Sequence, residues 1–135
     1  MRIICDIEAD SLYPTEIFYI SCKDIKTKER YRFTPDNMKD FRDFSETVEE
    51  FIGHNFLSFD APHLNRLLGT RIPVSKVTDT LILSKMEMPD REMPEKMKLD
   101  QASIPVKERS GPHSLKSWGY RCGLHKGDFN DFSHF

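Results

Sequence analysis

Two acidic residues near the start of the chain, Asp6 and Glu8, stand inside an apolar stretch, Arg2-Ile3-Ile4-Cys5-Asp6-Ile7-Glu8-Ala9-Asp10. Ile3, Cys5 and Ile7 alternate with Ile4, Asp6 and Glu8, which is the period of a β-strand. Both carboxylates therefore leave the same face of that strand, about 7 Å apart. Two carboxylates on a buried strand repel each other and lose hydration, and a divalent cation is the usual compensation. A third carboxylate, Asp60, closes the run His54-Asn55-Phe56-Leu57-Ser58-Phe59-Asp60. It falls in the first turn of a predicted helix that follows directly on a short predicted strand, the junction at which open α/β sheets bind ligands. With that strand beside the first, Asp60 converges on Asp6 and Glu8. Three carboxylates form an oxygen-rich site for Mg²⁺ or Mn²⁺, not a nitrogen and sulfur site for zinc. Two such ions about 4 Å apart activate a water and stabilise the leaving oxygen of a phosphodiester. Taken singly, the D-x-E pair reads as a solvated strand end and Asp60 as an acid stabilised by a helix N-terminus. Only the combination points to chemistry.

The elements that must position these residues follow in chain order. Leu12-Tyr13-Pro14-Thr15 is a turn, Glu16 to Cys22 a second strand and Glu29 to Phe33 a third. The short links imply an antiparallel meander. Thr34-Pro35 carries a helix-start signature, and Met38, Phe41, Phe44 and Val48 repeat at helical spacing, so one broken or two short helices are expected over 35–50. Phe51 to Asn55 reads as a fourth strand parallel to the first. Ser58 to Leu68 reads as a helix capped by Ser58 with Pro62 in its first turn, and Ile72 to Val77 as a fifth strand. Asp79-Thr80 opens a helix to Met86 with Leu81, Ile82 and Met86 inward, Asp79 acting first as its cap. Residues 87–112 lack periodicity and hold four prolines, a long charged loop of the kind that is more often functional than scaffold. His113 to Cys122 is a last helix with Leu115, Trp118 and Cys122 on one stripe. The pattern is of the α/β class, a mixed sheet flanked by helices with the carboxylate strand at its centre.

Bulk properties bound the rest. A chain of 135 residues fits a single domain with a real core. With 31% charged residues and a formal charge of −2, it has no global basic field, so contacts to nucleic acid must be local. No apolar run approaches the roughly 20 residues that span a bilayer. The start lacks a cleavable signal pattern, and a cytoplasmic location is expected. Cys5, Cys22 and Cys122 are odd in number and apolar in context, which reads as reduced core thiols.

Asp6-Ile7-Glu8 followed by Asn55-Phe56-Leu57-Ser58-Phe59-Asp60 resembles the first two motifs, D-x-E and N-x(3)-[FY]-D, of the DnaQ-like (DEDD) 3′–5′ exonucleases. Asp79-Thr80-Leu81-Ile82-Leu83-Ser84-Lys85, Gly111 to Arg121 (GPHSLKSWGYR) and Lys126-Gly127-Asp128-Phe129 extend the likeness. They look like the proofreading domain of family A DNA polymerases of podovirus-type bacteriophages. The resemblance runs in order over nearly the whole chain and implies a ribonuclease H-like fold. It implies that Asp6, Glu8 and Asp60 ligate two Mg²⁺ or Mn²⁺ ions, with Asp6 bridging both. It places Leu12 against the terminal base, although simple core packing is equally open. Asn55 would position the 3′-terminal nucleotide, and Phe59 would stack or pack, packing being favoured. His113 and Trp118 belong to the same signature, His113 as a further substrate-binding candidate, although a structural histidine and a core tryptophan are the ordinary reading.

One part of the pattern is missing. The family's third motif, Y-x(3)-D or H-x(4)-D, has no counterpart in the sequence, and Asp128 and Asp131 do not fit it. A C-terminally truncated exonuclease domain is therefore expected, completed in cis or by a second chain, whether as a fragment, one half of a split gene or a remnant kept for binding. The Trp118 helix and the Phe129, Phe132, Phe135 tail are expected to expose apolar surface to a partner. The implied substrate is the 3′ end of single-stranded DNA, with a polymerase domain as partner. Lys96, Lys98, Lys107, Arg109 and Lys116 are candidate phosphate contacts, or equally a solvated charged face. The competing class is a non-catalytic module that binds DNA ends or a polymerase; an RNA exonuclease of the same superfamily is a third.

Overall fold

Alternation of apolar and polar residues builds the sheet. In the computed structural model, which describes residues 1–89 and 112–123, five strands run β1 (Arg2–Ala9), β2 (Ile17–Asp24), β3 (Arg30–Phe33), β4 (Glu50–Gly53) and β5 (Val77–Asp79). Their order across the sheet is β3-β2-β1-β4-β5. The first three form the antiparallel meander, and β4 and β5 add in parallel to β1. The carboxylate strand is central, as its sequence requires. Ile3, Cys5 and Ile7 pair in register with Asp24, Cys22 and Ile20, and Phe33 and Phe51 continue the same face. That face carries the core. It is closed by α1 (Phe41–Glu46), α2 (Ala61–Leu68) and the turn before α2 through Phe41, Leu64 and Phe56, all fully buried. Phe33 meets Phe41 edge-on at 5.0 Å. On the opposite face Ile4 is half-exposed, and Arg2, Glu50 and Thr78 bridge β1, β4 and β5 through an ion pair and a hydrogen bond.

Several boundaries differ from expectation, each for a local reason. No helix starts at Thr34-Pro35. The Asn37 side chain accepts from the Thr34 amide at 2.7 Å and donates to the Arg32 carbonyl at 3.1 Å. This closes a turn, and helical structure begins only at Met38, as one 3₁₀ turn followed by α1. The predicted fifth strand over 72–77 is displaced to Val77–Asp79. A 3₁₀ turn at Val74–Lys76 precedes it, after Pro73, while Asn65 ties down the Thr70 hydroxyl and the Ile72 amide. Ser58 caps nothing. It lies within a π turn, Phe56–Asp60, that leads into α2.

Two compact units divide the chain, Met1–Thr80 and Leu81–Phe135. The helix α3 (Thr80–Glu87) runs across the boundary, and α4 (Leu115–Cys122) belongs to the second unit. The expected inward stripe of α3 is corrected: Ile82 and Met86 are exposed and Ser84 is buried. In α4 the stripe is likewise not Leu115, Trp118 and Cys122. Leu115 and Cys122 are exposed, and Ser117 is fully buried. The helix begins two residues later than His113 because Ser114 caps it, its Oγ accepting from the Ser117 amide at 3.1 Å. Most of the predicted loop 87–112 and the tail beyond residue 123, with Phe129, Phe132 and Phe135, lie outside the described residues.

Candidate functional site

The parallel pairing of β1 with β4 ends at Ile4–Ile52, so the β4-facing amides further along β1 need another partner. At Ile7 that partner is Asp60, whose Oδ2 accepts from the amide at 3.2 Å. Three features bring the side chain there. Gly53 ends β4 where any Cβ would stand 2.6 Å from the Phe56 ring and 3.0 Å from the Cys5 carbonyl oxygen. Phe56 then folds under the strand and stacks on Phe51 at 5.6 Å. Asn55 takes a left-handed conformation, φ 61°, that asparagine tolerates better than most residues. The π turn follows, a feature often found at functional sites.

Asp60 is only 4% exposed. Burial, and after it the negative charge of Asp6, pushes its carboxyl up to about 8, against the opposing pull of the Ile7 hydrogen bond. The same two carboxylates, after the Cys22 thiol and burial, contribute to raising the Cys5 thiol well above its ordinary range. Asp6 is exposed on the other side of β1 from Cys5, and Glu8, half-buried, follows on the same face. At Glu8 the β1–β2 register shifts, Glu8 facing Tyr19 and Ala9 facing Ile17, so that β2 carries one extra residue. Such bulges recur beside active sites. Asp6 and Asp60 are thus brought into electrostatic contact, with Glu8 on the strand beside them. Among the described residues, no three His, Cys, Asp or Glu side chains stand together as a ready-made metal cage. The donor chemistry nonetheless fits a hard divalent cation: the donors are all oxygen, and one of them is a carboxyl whose hold on its proton is raised by burial and by the charge of Asp6, which a cation would relieve.

The remaining candidates are distributed. Asn55 is exposed, and its amide donates to Asp79 Oδ1 at 2.9 Å. Asp79 Oδ2 accepts from the Leu57 amide at 3.0 Å. Asp79 therefore caps the turn entering α2. Phe59 packs against the core and meets His63 edge-on at 4.8 Å. Leu12 is 81% exposed, which removes the core-packing alternative. His113 is buried in the second unit, its Nδ1 2.6 Å from Ser84 Oγ. Ser84 Oγ also accepts from the Trp118 indole at 2.8 Å. Arg121 lies over the Trp118 ring at 4.8 Å. Cys5 and Cys22 are buried with their sulfurs 3.4 Å apart, whereas Cys122 is exposed, contrary to the core reading.

Sequence reasoning passed over Gly53, Asp10 and Arg66. The Asp10 carboxylate closes the loop after β1 by accepting from the Thr15 amide and hydroxyl and the Glu16 amide. A D-x(3)-P-T run carries the signal for such a turn. Arg66 Nη2 donates to the Pro14 carbonyl at 2.6 Å across 52 residues, and nothing local announces that.

Sequence comparison adds likenesses to this geometry. The chain is similar to phage DNA polymerases. It is 28% identical to the DNA-directed DNA polymerase of Escherichia phage T7, over 96% of this chain and 20% of that protein. Identity to the DNA-directed DNA polymerase of Enterobacteria phage T3 is 27%, again over 96% of this chain and 20% of the relative. The chain thus spans about a fifth of the length of these relatives. No family model matches it. Among the described residues no helix is long and apolar enough to cross a membrane.

Proposed function

We propose that the chain is a metal-dependent 3′–5′ exonuclease domain of ribonuclease H-like fold, associated with a phage-type DNA polymerase and removing 3′-terminal nucleotides from single-stranded DNA in the host cytoplasm. The observation that carries the reading is Asp60, a buried carboxyl driven up to about 8 by burial and Asp6 at the end of the central strand. A protein keeps such a costly group where it serves a site. Asp6, Glu8 and Asp60 would hold Mg²⁺ or Mn²⁺, which when bound supplies a water of lowered pKa and neutralises charge on the phosphodiester. A cation held there would displace the Asp60 proton, so metal affinity is expected to rise with pH up to about 8. The exposed Asn55 and Leu12 orient the terminal nucleotide, and His113 and Phe59 support their own units. Water attack on the terminal phosphorus breaks the P–O3′ bond and releases a nucleoside 5′-monophosphate. The third exonuclease motif, absent from residues 1–135, is supplied by a polymerase domain or a second chain.

The test is a 5′-labelled single-stranded oligonucleotide incubated with Mn²⁺ and either this chain or its Asp6→Ala variant. Single-nucleotide laddering that depends on Asp6 supports the enzyme. The second reading, a module that binds DNA ends or a polymerase without cutting, is favoured by the lack of a ready-made carboxylate cage among the described residues. DNA binding with no laddering at high protein concentration selects it.

A further inference from the structure

The sheet buries one face under α1 and α2 and leaves the other open to water, where Ile4 is 50% exposed and Asp6, Ser21, Arg30 and Arg32 are exposed. Register fixes which side chains are neighbours on that open face. Asp6 pairs with Ser21, and Ser21 with Arg32; Ile4 pairs with Lys23, and Lys23 with Arg30. Two adjacent rows therefore cross β1, β2 and β3, one leading from Asp6 to Arg32 and the other ending on Lys23 and Arg30. Strands stand about 4.8 Å apart, so Arg32 is rooted about 10 Å from Asp6, a gap that its side chain is long enough to cover in large part.

Charge on this face divides by strand. Towards β4, Arg2 is neutralised by Glu50. On β2 and β3 the same face carries Lys23, Arg30 and Arg32 and no acid. The acids nearest in sequence are engaged elsewhere: Asp24 accepts from the Lys26 and Thr27 amides, and Glu29 from the Tyr31 hydroxyl. None of the three cations forms an ion pair among the described residues. Charged side chains on an edge strand ordinarily keep it from pairing with another chain. That accounts for β3 but not for Lys23, which stands on an interior strand. Aromatic surface adjoins the cations: Tyr19 pairs with Glu8, and Phe18, the extra residue of β2, is 41% exposed. Cations beside aromatic rings suit a single strand, with its phosphates on the cations and its bases free to stack. An acidic peptide would satisfy the cations and leave the aromatic margin without a purpose.

We propose that Lys23, Arg30 and Arg32 form a phosphate track across β2 and β3, holding the single strand on the 5′ side of its reacting end against the sheet face opposite α1 and α2. The track rests on the exonuclease reading, because its first row begins at Asp6.

The experiment follows the anisotropy of 5′-labelled oligothymidylates of about three and about ten nucleotides, titrated with the chain in Ca²⁺ without Mg²⁺ or Mn²⁺. Wild type is expected to bind the longer strand about tenfold more tightly. Arg30→Gln/Arg32→Gln should lose that gain, and its slope of log affinity against log salt should be shallower by about 1.4, roughly 0.7 for each phosphate contact removed. Arg30→Lys/Arg32→Lys should keep most of the gain, since a phosphate accepts either cation. Lys39→Gln/Arg71→Gln removes the same charge from exposed positions elsewhere and should keep all of it. A glutamine variant that matches this control would overturn the track and leave the exonuclease reading intact. So would a lysine variant as weak as the glutamine one, which marks a structural role. A hexaglutamate peptide bound as tightly as the longer strand, with the same dependence on the arginines, would make the face an acidic-peptide site and overturn the track as well. No binding of either strand by wild type would overturn both readings.

Discussion

Asp60 and Asp79 are two buried carboxylates, 4% and 5% exposed, near the ends of neighbouring strands, and they are treated differently. Asp79 receives two backbone amides, Asn55 at 2.9 Å and Leu57 at 3.0 Å, one on each oxygen. Asp60 receives the Ile7 amide at 3.2 Å and faces the charge of Asp6. The first is a brace whose negative charge is met by donors within the fold. The second is buried beside the negative charge of Asp6, and both raise its affinity for a proton. Burial alone therefore does not separate a scaffold carboxylate from a site carboxylate; the donors around it do.

That contrast breaks most directly at the chemistry. Asp60→Ala or Asp6→Ala should reduce laddering of labelled single-stranded DNA by about a thousandfold, on the order of 4 kcal/mol in barrier. Asp79→Asn should leave the rate per folded molecule within about threefold. Comparable losses in both variants would erase the distinction. The next effect is on folding. Asp79→Ala strands two backbone donors and should cost about 3 kcal/mol in urea denaturation, with α2 losing amide-exchange protection first.

Asp60 should behave in the opposite sense in metal-free protein. Its carboxyl titrates near 8 when folded and near 3.9 when unfolded, so the folded state holds the proton more tightly. The stability this contributes is complete below about pH 4 and is lost as pH rises through 8. Asp60→Asn should therefore match wild type at pH 4 and exceed it by about 5 kcal/mol at pH 8.5, while losing any Mn²⁺-induced rise in melting temperature. A wild type whose metal-free stability climbs from pH 5 to 8.5 relative to Asp60→Asn would contradict the raised pKa. Smallest of all, Gly53→Ala should cost about 1–2 kcal/mol by forcing Phe56 off its seat. A shift of the Asp60 carboxyl resonance in the same variant would show that this packing sets the site.

Much of the architecture could be read without coordinates. Alternation identified β1, β2 and β3 to within two residues, and the short links set their antiparallel pairing. The apolar run after α1 announced a parallel fourth strand, which forced the carboxylate strand to the centre. Where side chains overrode local propensity, the reading slipped. Asn37 closed a turn that Thr34-Pro35 had marked as a helix start. Val77–Asp79 paired where Ile72 to Val77 had seemed the better strand former. In α4 a buried serine replaced the expected apolar stripe, because Ser114 and Ser117 bond to each other at 2.9 Å.

For the site, sequence by itself determined which groups stand together on one strand. A period of two puts Asp6 and Glu8 on the same face whatever surrounds them, and the spacing from Asn55 to Asp60 is covalent. Tertiary structure alone decided what those groups experience. Asp60 reaches Ile7 only because β4 stops at Gly53 and a left-handed Asn55 turns the chain beneath it. Its carboxyl rises to about 8 only because water is excluded and Asp6 is near. Leu12 and Tyr13 stand in water only because Asp10 and a distant Arg66 hold their loop. Charge, burial and reach depend on neighbours far apart in the chain, and local pattern carries no record of them.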